Sequence, residues 1–299
     1  METQRGKTRF ETSTPVLHPV PEVSSSATTL HRDNSFILSG YRDVSYSYWQ
    51  CLRSTFQLHN ETVNIWSHAL GSLWFLHQFF DDCIKDDTPA LLTSDRFAIG
   101  MFDMSVALCF FFSAAFHTFC NHSRSVYRLS NQMDHLGIVL LMWGTGLSGA
   151  HFAFRCQRTA YTVHLALMSA SAVLSGLATL RPAFRETGDQ QPRVLVYACF
   201  GIGLFAPVLH GLYAFGLAEL DERMGFRSFL GLALLNSIGA SLYLYKAPER
   251  WLPGRCDLPG QGHNWMHGFV LAGVWMRRNG LVQLAILKSA SQDILCVVE

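Results

Sequence analysis

Two histidines, His263 and His267, stand four residues apart in Gly262-His263-Asn264-Trp265-Met266-His267, at the start of the last long apolar stretch. On a helix this spacing puts both imidazoles on one face, about one turn apart. Two imidazoles so placed can grip one metal ion, and a third ligand must then come from elsewhere. His117, in Ser113-Ala114-Ala115-Phe116-His117, is the candidate, with Asp134 seventeen residues later. Three neutral imidazoles and a water form an open zinc site, whose water ionises near neutrality and becomes a nucleophile. Asp134 is then a fourth ligand or, better, a hydrogen-bond partner that holds the water. Ser113, one turn before His117, is placed to hydrogen-bond the water or the reacting group. The competing reading is a set of interfacial histidines reaching for headgroups. Four polar groups at one depth weigh against it, because ionisable groups within a membrane are expensive. His68, His164 and His210 are isolated in the sequence and read as satisfied core or cavity groups. Asp103 reads as a buried partner or an interfacial group, and Asn236 as an interhelical donor.

The elements that must position these groups read as membrane helices. Of the 299 residues, 49% are apolar and only 15% charged, below the roughly 25% of soluble proteins. Mean hydropathy is +0.17, diluted by a polar start. Apolar stretches fall at about 62–80, 97–120, 133–154, 159–180, 194–215, 227–245 and 264–286. Each approaches the ~20 residues that cross a hydrocarbon core as helix. No alternating ten-residue pattern suggests a barrel. The expected fold is all-α, a seven-helix transmembrane bundle over 61–286. Residues 1–35 read as a disordered tail, 36–60 as an interfacial amphipathic segment rich in Tyr, Trp and Arg, and 287–299 as a C-terminal tail. Seven alternating helices bring the end of the second and the starts of the third and seventh to one side. His117, Asp134, His263 and His267 therefore converge by parity alone.

With the N-terminus cytosolic, the inner loops carry eight Lys/Arg and the outer loops six, a slight bias in favour of that orientation. The net charge of +1 gives no electrostatic case for nucleic acid. The eight cysteines form no CxxC pair, and no disulfide is expected. Cys109 and Cys199 read as small apolar residues. Two glycosylation sequons, at Asn60 and Asn121, face the cytosol in this orientation.

Several motifs appear together and in order. They are Gly40-Tyr41-Arg42; Phe56-Gln57-Leu58-His59-Asn60-Glu61-Thr62-Val63-Asn64-Ile65-Trp66-Ser67-His68; Ser113 to Thr118; Met133-Asp134-His135-Leu136-Gly137-Ile138; Pro207-Val208-Leu209-His210; and Pro248 to Gly254 followed by His263 to His267. This series resembles the progestin and adipoQ receptor family, also called haemolysin-III-related, and its adiponectin-receptor and fungal-type branch in particular. The resemblance implies seven transmembrane helices with a cytosolic N-terminus. It also implies a Zn2+ held by His117, His263 and His267 near the cytosolic leaflet, with Asp134 nearby and Ser113 lining the site. Arg277-Arg278 departs from the pattern and predicts a last helix that is short or bent there, or arginines that reach the outer headgroups.

Three functions follow. The first is a zinc-dependent hydrolase of a lipid amide such as a ceramide, with Asp134 as general base and then proton donor to the leaving amine, linked to lipid and zinc homeostasis. The second is a signalling receptor of the adiponectin or progestin type with structural zinc. The third is a membrane enzyme acting on another apolar metabolite. All imply an integral, multi-pass protein of the plasma membrane or endoplasmic reticulum. Its expected partners are membrane lipids and an apolar, lipid-like ligand or substrate.

Overall fold

Backbone polar groups that lie in hydrocarbon must bond within their own segment, and helices are the way a single stretch achieves this. The computed structural model describes residues 34–84, 91–181 and 191–290, and these are helical with no strand. In chain order the helices are α1 (Tyr48–Ser54), α2 (Thr62–Ile84), α3 (Thr93–Phe119), α4 (Arg124–Phe154), α5 (Arg158–Leu180), α6 (Gln191–Gly203), α7 (Phe205–Met224), α8 (Phe226–Tyr245) and α9 (Gly262–Ala290). Among the described residues, five stretches are long and apolar enough to cross a membrane: Thr93–Phe119, Arg124–Phe154, Arg158–Leu180, Val196–Met224 and Phe226–Tyr245. Helices α2 and α9 match them in length, at 23 and 29 residues. Their apolar runs are interrupted by polar residues: Asn64, Ser67, His68, Asp81 and Asp82 in α2, and His263, Asn264, His267, Arg277 and Arg278 in α9.

The observed bounds depart most from the sequence reading in three places. Helix α4 starts at Arg124, well before the apolar run at 133. The Ser123 hydroxyl caps it by accepting from Val126 N, and its first two turns are polar. The stretch expected at 194–215 is two helices that break at Leu204, and the second is interrupted at Gly216, with φ 78° and ψ 172°. Only glycine adopts that conformation cheaply. Beyond it the chain packs back, and a Cβ on Gly211 would lie 2.5 Å from Leu220 Cδ1. The 36–60 segment is helical only in α1. The rest is an extended strap: Leu38 N and Ser39 Oγ donate to Asp257, Asn60 N to Gly40 O, and Ser45 N to Asn121 O. The tail expected at 1–35 lies outside the described residues except for Asn34 and Ser35. Helix α9 takes in 287–290 of the expected C-terminal tail.

The bundle is close-packed where small residues permit it. Phe75, Phe102, Val106 and Phe110 form a buried cluster between α2 and α3. Along α4, Gly137 and Gly144 stand two turns apart and face α3. A Cβ on Gly137 would lie 2.9 Å from Cys109 Cα, and one on Gly144 would collide with Ser105. The Cys109 atom is backbone and has no rotamer to escape by. Gly137→Ala therefore forces the two helices apart and costs about 1–3 kcal/mol, the usual penalty of overpacking. A lower unfolding midpoint in detergent checks this, and an unchanged midpoint would show that α3 and α4 slide freely.

Helix α9 runs unbroken through Arg277 and Arg278, against the expectation of a short or bent end or of arginines at the headgroups. Both side chains point inward, 0% and 6% exposed. Arg277 donates to Met224 O, Gly225 O and Ser228 Oγ at 2.8, 3.1 and 3.0 Å, and so satisfies the carbonyls that the turn between α7 and α8 leaves open. Arg278 pairs with Asp103 of α3 at 3.0 Å and Asp82 of α2 at 2.6 Å. The turn from α4 to α5 is tied in a similar way. Asp95 of α3 accepts from His151 Nε2 at 2.7 Å and pairs with Arg155 at 3.0 Å. Cys156, in the same turn, is disulfide-bonded, which corrects the reading of all cysteines as free.

Of the three histidines read as satisfied core or cavity groups, two meet each other: His164 Nε2 lies 2.8 Å from His210 Nδ1. His68 is buried, yet neither of its ring nitrogens has a partner.

Candidate metal centre

Two residue pairs set the register of α2 against α9. Asn264 Nδ2 donates to Asn64 Oδ1 at 2.7 Å, and Ser67 Oγ lies 3.4 Å from His267 Nδ1. Together with the Arg278–Asp82 pair these contacts make the two helices parallel. The start of α9 is anchored by Glu249, whose carboxylate accepts from Gly262 N at 2.6 Å. An acid at a helix N-terminus also suits the helix dipole.

This frame brings His263 and His267 of α9 against His117 of α3. The three ring centroids form a triangle with every side 4.9 Å. One nitrogen from each ring lies within 4.8 Å of the others. His117 and His267 are buried, while His263 retains partial exposure and packs edge-on to Tyr243 at 4.9 Å.

The outer nitrogens decide the tautomers. Glu61 Oε2 accepts from His117 Nδ1 at 2.7 Å, so Nε2 is the nitrogen left for a metal, and it is buried and without a partner. Ser67 stands at His267 Nδ1 in the same manner. Glu61 is itself held, because Asn64 Nδ2 donates to the same Oε2 at 2.7 Å. Arg42 of the strap donates to the backbone carbonyls of His117 and Thr118 and fixes the end of α3. His59 also braces the turn. Its Nδ1 accepts from Glu61 N at 3.1 Å, and burial and then the Arg42 charge push its pKa down to about 4, so the ring is neutral at physiological pH.

The donor set fits a divalent ion of intermediate softness. It offers three imidazoles, two of them with one nitrogen engaged elsewhere, and a buried, unpartnered Nε2 on His117. Ser113 and Asp134, the other two residues singled out in the sequence, lie beside it. Ser113 is buried on α3, one turn before His117, and Asp134 is half-buried on α4. His68 belongs here as well. Its ring stacks on His267 at 3.7 Å and 17°, and on Phe110 at 4.3 Å and 21°.

Sequence reasoning passed over the supporting groups Glu61, Ser67 and Arg42 and misjudged His68. A signal for three of them was present. Glu61, Asn64, Ser67 and His68 recur at spacings of three, three and one, which puts a polar stripe on one face of α2 and of the residue that leads into it. Both sequon asparagines lie inside this region, 5% and 3% exposed, and Asn121 Nδ2 donates to Asp43 O at 2.9 Å.

A helical bundle with several membrane-crossing stretches and a histidine triangle near one end defines a multi-pass integral membrane protein with a buried candidate metal centre. Residues 56–277 match the haemolysin-III-related family model, and the chain belongs to that family. It is 30% identical to the adiponectin receptor protein of Drosophila melanogaster over 90% of this chain and 60% of that one. It is 29% identical to progestin and adipoQ receptor-like protein 1 of Caenorhabditis elegans, over 87% and 60%. It is 28% identical to the ADIPOR-like receptor IZH2 of Saccharomyces cerevisiae, over 84% and 80%. The match thus spans about 60% of the length of the first two relatives.

Proposed function

We propose that this protein is a seven-span, N-terminus-in membrane protein that holds Zn2+ on His117, His263 and His267 and hydrolyses a lipid amide of the ceramide type. The observation that carries the reading is the triangle of His117, His263 and His267, with one nitrogen of each within 4.8 Å of the others. Zn2+ bound there supplies Lewis acidity and brings the pKa of a water towards neutrality. Asp134 takes one proton of the attacking water as the C–O bond forms and gives it to the leaving amine as the C–N bond breaks, and the acid's remaining proton passes to the amine, so the products are a carboxylate and an ammonium. Glu61 and Ser67 hold the imidazoles in the tautomer that presents a lone pair to the centre.

The spans α2 and α9 complete the count to seven when their polar residues face the interior, where the contacts above put them. The distribution of cysteines supports the orientation. Cys51, Cys120 and Cys256, at the metal end, are free, while Cys156, at the other end, is bonded. Disulfides persist in oxidising compartments and not in the cytosol.

A second reading is favoured by the relatives, which carry receptor names. In it the same zinc is structural and the strap over 36–60 reports a change in the bundle. Hydrolysis of labelled ceramide by the purified, zinc-loaded protein, compared with His263→Ala, separates the two. Turnover in the wild type that is lost in the variant supports the hydrolase. Equal background in both, with a lower thermal midpoint in His263→Ala, supports structural zinc.

A further inference from the structure

On an exposed face of α8, near its C-terminal end, the helix and the loop that follows it form a groove of about 610 Å3. Its floor is Leu234, Ile238 and Leu242, with Ser237 and Ser241 between them. The serine hydroxyls donate to the carbonyls of Ala233 and Ser237 in their own helix, both at 2.7 Å, so they narrow the floor and turn no free donor into it. The mouth is formed by Tyr245, Arg250 and Trp251.

The charge at this mouth is one-signed. The two acids of the loop face inward. Glu249 is 1% exposed and accepts from Asn34 and Gly262, and Asp257 is 4% exposed and accepts from Leu38 and Ser39. Arg250 and Arg255 face outward. Tyr245 and Trp251 are exposed beside them, where aromatic side chains sit at headgroup depth. From Leu234 to Tyr245 the helix rises about 16 Å, close to half of the ~30 Å hydrocarbon core. A groove one leaflet deep, apolar along its floor and cationic at its mouth, has the dimensions and charge of a single phospholipid. A symmetric second copy fits it poorly, because it would bring a second Arg250 towards the first.

We propose that this groove binds one anionic phospholipid of the metal-side leaflet, with its phosphate on the Arg250 guanidinium and an acyl chain along Leu234 and Ile238. The site is separate from the histidine centre, which lies across α8 beside Tyr243.

Native mass spectrometry and thermal unfolding of the full-length protein, titrated with phosphatidylserine or phosphatidylcholine, test this. The wild type is expected to retain one phosphatidylserine per chain, at least fivefold tighter than phosphatidylcholine, with a matching rise in the unfolding midpoint. Arg250→Gln removes about fivefold of that preference, the share of one basic residue at a charged surface. Ser241→Trp, which fills the groove, abolishes retention of both lipids. Inorganic phosphate alone leaves the midpoint unchanged. Equal retention of the two lipids by the wild type would overturn the proposal. So would an undiminished preference in Arg250→Gln, stabilisation by phosphate alone, or a dimer that Ser241→Trp dissociates with no loss of lipid.

Discussion

Replacing Glu61 with alanine is expected to weaken divalent-metal binding by about ten- to a hundredfold while leaving the three ligands in place. The reason lies in one proton. Imidazole offers a lone pair to a metal through one nitrogen only when the other carries the hydrogen, and the hydrogen goes where an acceptor waits. For His117 that acceptor is Glu61 Oε2, 2.7 Å from Nδ1. Removing it frees the tautomer and lets a ring that is 2% exposed turn in its socket. Glu61→Gln keeps an acceptor oxygen without the charge, and its affinity falls between those of the wild type and Glu61→Ala. Competition against a chelator of known affinity reads the effect directly, without any assay of turnover. The thermal midpoint of the metal-free protein serves as the control for folding. Unchanged metal affinity in Glu61→Ala would show that His117 is oriented by the bundle alone and that Glu61 acts elsewhere.

The histidine triangle was legible because the signals that build it are local and additive. His263 and His267 share a face by spacing, and helix parity carries His117 and Asp134 to the same end. Neither inference needs a side-chain rotamer. The supporting groups were not legible in that way. Glu61 sits at the entry of α2 in Asn60-Glu61-Thr62, where a sequon competes for attention, and its partner lies 56 residues away. Which acid meets which histidine across helices depends on rotation about each axis, and hydropathy does not specify it. The same gap explains the far end of α9. Two adjacent arginines in an apolar run look like an exit from the membrane until Asp103, Asp82 and the open carbonyls of the α7–α8 turn are seen to meet them. Gly216 shows the complementary case. A single glycine in an apolar stretch is tolerated in a helix, so the non-helical residue inside α7 follows from tertiary packing and not from the local sequence.

Arg278→Leu is expected to be the most destabilising single change at the far end of the bundle, by about 3–5 kcal/mol, since it strands a buried carboxylate. Asp103 is 0% exposed, and its two oxygens lie 3.2 and 3.0 Å from Arg278 Nε. Asp82, the other partner, is 20% exposed on its side chain and can hydrate when the guanidinium is gone. The two acids are therefore not equivalent, and the double variant separates them. Asp103→Leu with Arg278→Leu removes the buried charge together with its partner and recovers most of the loss. Adding Asp82→Leu to Arg278→Leu recovers little. Unfolding midpoints of the single and double variants in one detergent give the coupling energies through a double-mutant cycle. The consequence extends along the helix. Arg278 pins α9 to α2 and α3 at one end, while His263 and His267 meet His117 at the other. A stranded Asp103 pulls α9 out of register, so Arg278→Leu also weakens metal binding, and the double variant restores both properties together. Stability restored without metal affinity would mean that the arginine clamp and the histidine centre are set independently.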